Sequence, residues 1–526
     1  MAKTFDDITM EVVNQFLQNI LFIDDNAFQA NMNGKNAFDA SQISSLFANE
    51  GKLCTIFAPR SEKDLKSCTP LFAKSDVIVL DWFLNLEIEP VENEEEDDED
   101  DEPRGKYTKN LIKEIIDDAK SDKLKLVIVY TGDSAKLYDI TKEIQNIILG
   151  DENYQTVEED CRIYSSNVLI LVRAKSNGQG DEQLKHNKAL QSKIVNYEHL
   201  PNFILKEFAH FINGLLPNFA LSVISSIRNS TSNILGVFSR NLDPAFLGHF
   251  VTIPDSCDAI VLLSKLFGSS VTDLIDVSNF NVESWFGAWI DKNINDCQIT
   301  INNKTININT ENLKKLVYSS EDFEDKFKQS FGVDVNVYTA DLYKKNATNL
   351  FCSEKIELSN YKWAKIVQHS NLFSSPGTHR LTMGTIVKCN GNDAIGRYLI
   401  CIQQSCDSVR IRSDEERAFL FLPLVKGIKG DAIVISEDNH LIVDNKSYSI
   451  ELYKFSPIND EAQITAQLIA NDEYAFIDKH GNQFVWVAEL KEMFAQHIVS
   501  AYASQLSRVG IDNSEWIRLM GKKITK

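Results

Sequence analysis

Five short apolar runs punctuate the first 175 residues: 19–23 (NILFI), 53–57 (LCTIF), 76–80 (DVIVL), 124–130 (LKLVIVY) and 167–172 (NVLILV). They are β-branched and apolar on both faces. Strands of a parallel sheet buried beneath helices have this pattern. Helical periodicity fills the intervals, over about 36–48, 62–73, 107–120 and 134–149. Alternation of this kind predicts an α/β N-terminal domain, a doubly wound sheet of five parallel strands.

The pattern changes twice further along. From about residue 185 it turns helical. Residues 203–216 are amphipathic, and Ile224, Ile227, Thr231, Ile234, Leu235 and Phe238 recur at three-to-four spacing. After about 360 the runs become short and turn-separated, at 381–389, 397–404, 418–425, 432–437, 441–445 and 447–455. They predict a small antiparallel barrel or sandwich. The last pattern, 485–510, reads as a long amphipathic helix stopped by Gly510. A chain of 526 residues is long enough for several cores. The expected organisation is an α/β domain over 1–185, a mainly helical domain over 186–355, a β-rich barrel-like domain over 356–485 and a C-terminal helix over 486–526.

One insertion interrupts the first domain. Ten of the eleven residues from 92 to 102 are carboxylates, which repel one another and cannot bury a core. A disordered acidic loop is therefore expected over about 86–106. It contributes nearly half of the net charge of −21. So acidic a chain repels phosphate backbones, which argues against general nucleic-acid binding. The nine cysteines include no C-x-x-C pair, so neither a disulfide framework nor a zinc ribbon is suggested. Without an 18-residue apolar run or a basic-then-apolar leader, the expectation is a cytoplasmic protein with no membrane span. Phosphate-loop, dinucleotide, zinc-protease and serine-hydrolase motifs are all missing, so no separate catalytic output domain is recognised.

The chemistry gathers at the ends of the N-terminal strands. In a doubly wound sheet, ligands bind at the carboxyl ends of the strands. The first run ends in Asp24 and Asp25, the third in Asp81, and the fourth in Thr131. The fifth is followed by Arg173 and Lys175. Mg²⁺ takes hard oxygen ligands, which Asp24, Asp25 and Asp81 would supply. An aspartate can also attack phosphorus and carry an aspartyl phosphate. A lysine and a threonine hydroxyl would then neutralise and hydrogen-bond the phosphoryl oxygens. Taken singly, each residue has a plainer use: the aspartates and Thr131 as helix caps, Lys175 as a surface lysine.

With these residues in place, 1–185 resembles a response-regulator receiver domain, which has a flavodoxin-like fold. The resemblance implies Asp81 as phosphoacceptor, Asp24, Asp25 and Asp81 as the Mg²⁺ site, Thr131 as the switch hydroxyl and Lys175 as the phosphate-pairing base. It also implies a histidine kinase as partner in a two-component phosphorelay. Ser176 follows Lys175 where receivers usually have proline, and Arg173 lies nearer the apolar run, so either base fits. Residues 215–249, 381–388, 397–411 and 503–520 further resemble the long, divergent receiver proteins of bacterial phage-defence operons of the Detocs type. That resemblance implies a partner-binding regulator or phosphate sink acting beside a kinase and a second, receiver-linked effector. The oligomeric state stays open, with a dimer among the options. Two other readings are a phosphorylation-independent scaffold with a degenerate receiver fold, and a defence effector with a pocket around Cys406 and Asp407. In the second, Cys401, Cys406, Asp407 and Arg410 would bind a ligand or do chemistry.

Overall fold

The computed structural model describes residues 3–28, 38–86, 105–119, 123–148, 151, 153–176, 188–252, 256–275, 282–352, 354–372, 379–389, 396–428, 432–444, 446, 448–458, 462–469, 473–506 and 518–519. The expected acidic loop over 92–102, Gly510 and most of 503–520 lie outside these residues. Contacts divide the chain into two compact units. One is Met1–Asp296 with Asn309–Ser320, and the other is Cys297–Ile308 with Glu321–Lys526.

In the first unit the strands are β1 (Asn19–Ile23), β2 (Leu53–Phe57), β3 (Val77–Leu80), β4 (Lys125–Thr131), β5 (Gln155–Val157), β6 (Arg162–Tyr164), β7 (Val168–Lys175) and β8 (Ile194–Val195). The helices are α1 (Phe5–Phe16), α2 (Ala40–Asn49), α3 (Glu62–Ser67), α4 (Thr69–Phe72), α5 (Lys106–Ala119), α6 (Leu137–Ile147), α7 (Lys188–Gln191), α8 (Leu200–Phe211), α9 (Leu215–Val237), α10 (Asp243–Phe250), α11 (Ser256–Asp273), α12 (Val282–Asn293) and α13 (Thr310–Tyr318). The sheet order is β2-β1-β3-β4-β7-β6-β5, with β8 also on β7. Its first five strands are parallel, as the apolar runs predict. The β5–β6 hairpin adds an antiparallel edge. Chain order reverses about β1, with β2 on one side and β3 on the other. A ligand site is expected at that switch point.

Both sheet faces are covered, which is why the runs show no alternation. One face packs Leu21, Ile78, Val127 and Ile170 against α5 and α6 residues such as Leu111, Ile112, Ile140 and Ile144. The other packs Phe22, Val79, Ile128 and Leu171 against Ile43 and Phe47 of α2, Val12 and Val13 of α1, and Ile204 and Phe208 of α8. Helix α1 starts at a capping box, with Thr4 and Asp7 exchanging hydrogen bonds. Its Phe16 ring stacks on Phe208 at 5.8 Å. Helix α8 thus shares a core with the sheet, and Leu221 of α9 and Trp285 of α12 join the same core.

Helix α9 is tied to the amino end of the sheet. Asp76, nearly fully buried, accepts the Gln18 and Asn19 amides at 2.9 and 3.1 Å. Arg228 of α9 meets the same carboxylate at 2.9 Å and donates to the Phe16 carbonyl. Asp76→Ala leaves those donors without their acceptor, and an expected loss of about 2–3 kcal/mol follows. Urea titration of the protein measures it. A change within experimental error would show that water replaces the carboxylate.

The second unit opens with a hairpin of β9 (Cys297–Ile301) and β10 (Lys304–Ile308). Asn302 and Asn303 both take positive φ (52° and 59°), as a two-residue turn of the primed type requires. Helices α14 (Phe323–Phe331), α15 (Val337–Lys345) and α16 (Ile356–Gln368) follow. Then come β11 (His369–Ser370), β12 (Thr385–Cys389), β13 (Arg397–Cys401), β14 (Arg417–Lys426), β15 (Ile433–Ser436), β16 (Asn439–Val443), β17 (Glu451–Phe455), β18 (Gln467–Leu468), β19 (Tyr474–Ile477) and β20 (Gln483–Leu490), and last α17 (Glu492–Leu506). The strands β11 to β20 make one antiparallel sheet of ten. Alternate residues feed two cores: Leu399, Phe419 and Phe421 one, Ile400, Leu422 and Leu424 the other.

Two expectations change here. A strand hairpin sits inside the stretch read as mainly helical. The expected helix from 485 divides at Lys491, with 485–490 forming most of β20. Phe484, Val485 and Trp486 are aromatic or β-branched residues that pair with β12, the first two also with β19, and this outweighs the helical spacing. Helix α17 begins only at Glu492 and lays Ala495, Ile498 and Tyr502 on the second core.

Candidate functional site

The register of β1 with β3 builds the site. Ile23 stands opposite Leu80, so the residues that follow, Asp24 and Asp81, leave the sheet side by side. Backbone hydrogen bonds extend the ladder past the strand ends, from the Asp81 amide to the Ile23 carbonyl (2.9 Å) and from the Asp24 amide to Phe57 (3.1 Å). Asp24, Asp25 and Asp81 are all buried, and each offers a carboxylate oxygen within 4.8 Å of the others.

Lys175, the last residue of β7, reaches the same point. Its Nζ lies 2.7 Å from Asp24 Oδ2 and 2.8 Å from Asp81 Oδ1. Strand β4 stands between β7 and β3, so the side chains bridge two strand spacings, roughly 10 Å. They pass over Tyr130, whose ring centroid is 5.9 Å from the ammonium. Phe38 lies 5.6 Å away. Tyr130 is fixed by donating to the Val195 carbonyl at 2.5 Å and by an edge contact with Tyr197. Aromatic faces and two carboxylates thus surround a buried cation.

Arg173, the alternative base, is used elsewhere. Its guanidinium donates to the carbonyls of Asp160 (3.0 Å) and Val172 (2.8 Å) and stands over the Phe203 ring. Thr131 ends β4 and is buried, and its hydroxyl accepts the Asp133 amide at 3.1 Å. Strand alternation puts it with Val127 and Val129. Tyr130 takes the face of Lys175.

Several contributors have no mark in the sequence. The Asn85 amide donates to Asp25 Oδ2 (3.2 Å) and the Phe83 amide to Asp81 Oδ2 (3.2 Å). Thr108, the third residue of α5, donates to the Asp81 carbonyl at 2.7 Å. Gly105 at φ 81° brings backbone against the Trp82 indole, where any Cβ would clash. Backbone donors are invisible to motif reading, and Thr108 lies beyond the acidic insertion.

Electrostatics set the site's chemistry. Burial pushes Asp25 up to about 6; the Asn85 hydrogen bond opposes this, and the Asp24 charge adds to it. Asp81 is pushed up to about 7, again by burial, which outweighs Lys175 while Asp24 and Asp25 reinforce it. Burial alone would lower Lys175, but Asp81 and Asp24 outweigh it and hold the ammonium charged. Three carboxylates face one ammonium, so the set carries excess negative charge. All its donors are hard oxygens, and ligand oxygens around Mg²⁺ stand roughly 3–4 Å apart. These residues fit such an ion with slight closure.

The other candidate residues differ in exposure and partners. Cys401 is fully buried in β13, and burial raises its thiol to about 12. Cys406 is exposed, 3.7 Å from Gln404 Oε1. The Asp407 carbonyl accepts Arg417 at 2.9 Å, and Arg410 sits at φ 59°.

In comparison with known families, residues 16–180 match the model of the response receiver domain. The class the fold and site define is therefore a receiver domain, which occupies the sheet-bearing part of the first unit. No curated protein and no solved structure matches the chain. Receiver domains in general serve response regulators and take phosphate from a histidine kinase or another phosphodonor. Among the described residues, no helix is long and apolar enough to cross a membrane.

Proposed function

We propose that the chain is a response regulator that accepts a phosphoryl group on Asp81. The observation that carries this reading is the meeting of Asp24, Asp25 and Asp81 within 4.8 Å, with Lys175 bridging Asp24 and Asp81. An Asp81 carboxylate oxygen attacks the phosphorus of a phosphohistidine, and the P–N bond breaks. The imidazole nitrogen leaves with the bonding pair and takes a proton from solvent, while an acyl phosphate forms on Asp81. Asp24, Asp25 and Asp81 would hold a Mg²⁺ ion, which supplies charge neutralisation to the transferring oxygens. Lys175 pairs the new phosphoryl group from its place beside Asp81 Oδ1. Thr131 would release the Asp133 amide and give its hydroxyl to a phosphate oxygen. The 131–136 turn would move in consequence.

The output we infer is a partner-binding regulator or phosphate sink beside a histidine kinase. The defence-operon setting rests on the resemblance of 215–249, 381–388, 397–411 and 503–520. A kinase gene and a second receiver-linked gene beside this one would support it.

Acetyl phosphate with Mg²⁺ is expected to label the wild-type protein, as read by intact mass. Asp81→Asn is expected to abolish the label. Equal labelling of the two proteins would sink the acceptor assignment.

A further inference from the structure

A cavity of about 450 Å³ opens beside Asp25, lined by Ala27, Phe28, Ala58, Pro59, Arg60 and Asn85. Its size is that of a small-molecule site. Asp25 and Arg60 are the charged residues of its lining, so the cavity joins one wall of the acidic set to a cation from the other side of β1.

Arg60 is held ready by its backbone. Pro59 precedes it with a fixed φ. Its own amide donates to Asp64 Oδ2 at 3.2 Å, and Ser61 caps α3 by accepting the Asp64 amide at 3.2 Å. Among the described residues its guanidinium makes no ion pair. The contrast with the other basic groups nearby is plain. Lys175 is committed to Asp24 and Asp81, and Arg173 to backbone carbonyls.

Phe28 supplies the second feature. Its φ is 71°, a region that a bulky side chain enters only at a conformational cost. That conformation leaves the ring 72% exposed at the rim of the cavity. A strained, exposed aromatic beside Asp25, one wall of the acidic set, is a recognition surface more readily than a packing residue.

Resting on the phosphoacceptor reading, we propose that this cavity receives the phosphodonor: Arg60 pairs its phosphoryl dianion, and Phe28 stacks on a planar leaving group such as the imidazole of phosphohistidine. A dianion approaching three carboxylates is repelled. A bidentate guanidinium at the mouth offsets that repulsion before transfer begins. Arg60 is thus a donor-binding residue, distinct from Lys175, which pairs the group once transferred.

The test uses two P–N donors on the full chain with Mg²⁺. Phosphoramidate has no ring in its leaving group, and N-phosphoimidazole has one. Arg60→Ala is expected to lower the second-order labelling rate roughly tenfold or more with both donors, and Arg60→Lys to recover only part of it, because an ammonium supplies the charge without the second hydrogen bond. Phe28→Ala is expected to slow labelling by N-phosphoimidazole and leave the phosphoramidate rate near wild type. Unchanged melting temperatures show that each variant folds. If wild type itself is not labelled at Asp81, the phosphoacceptor reading fails and this inference with it. If wild type is labelled but Arg60→Ala reacts as fast, or Arg60→Lys recovers nothing, the inference alone is overturned. Equal slowing of both donors by Phe28→Ala overturns the stacking role.

Discussion

Replacing Lys175 by methionine is expected to destabilise the protein by about 3–5 kcal/mol near neutral pH. Methionine fills nearly the same volume, so the loss is one of charge. Asp24 and Asp81 would be left buried, each without the ammonium that stands 2.7 and 2.8 Å from it. Removing one partner of a buried ion pair costs more than the pair is worth, because the other charge remains out of water. The pH dependence separates charge from packing. With Lys175 gone, the main opposition to the upward push on Asp81, which already titrates at about 7, is lost. The variant relieves its strain by taking up protons, so its deficit should shrink as pH falls from about 8 to about 5. Urea midpoints at both pH values measure this. A deficit of equal size at each would mean that lost packing, not unpaired charge, sets the cost. The same variant is expected to lose most of its acetyl-phosphate labelling.

How much of this could be read from residues alone depended on the kind of signal. The five parallel strands were legible because burial on both faces demands consecutive apolar positions. All five runs overlap the observed strands, and 19–23 and 53–57 coincide with β1 and β2. Asp24, Asp25 and Asp81 were legible because a strand that ends in a carboxylate marks the sheet's carboxyl edge. The choice between Arg173 and Lys175 was not. Alternation puts both on one face, and only the three-dimensional path over Tyr130 sends Lys175 to the carboxylates and Arg173 to the β6 edge. The β5–β6 hairpin was missed because three-residue strands carry too little pattern. Strand β20 was missed because six of its residues run straight into α17, and the junction at Lys491 has neither glycine nor proline. Helix α8 was read as helical but not as a partner of the sheet. Its apolar face says that it packs, not on what.

Mg²⁺ is expected to reverse the protein's response to alkali. Asp25 titrates at about 6 in the folded chain against 3.8 for a free side chain, and Asp81 at about 7. Both folded values are raised, so the folded state holds more protons than the unfolded one across that window. The contribution of these two groups to the stability of the metal-free protein should therefore be greatest below about pH 4 and be lost as pH rises through about 6 to 7. For Asp25 alone the loss is about 3 kcal/mol. A divalent cation binds the ionised carboxylates, so protons compete with it in acid. Its stabilisation, about 2.7 kcal/mol at a hundredfold excess over Kd, should then be small near pH 5 and full near pH 8. Asp25→Asn separates the two effects. Without the buried charge the metal-free variant should be more stable than wild type near pH 8, while its melting temperature should respond less to Mg²⁺. Melting curves with Mg²⁺ and with a chelator decide the matter. An equal Mg²⁺ shift at both pH values, or in wild type and Asp25→Asn alike, would place the ion somewhere other than these carboxylates. The adjacent aspartates would then be a cost to the fold with no cation to offset it.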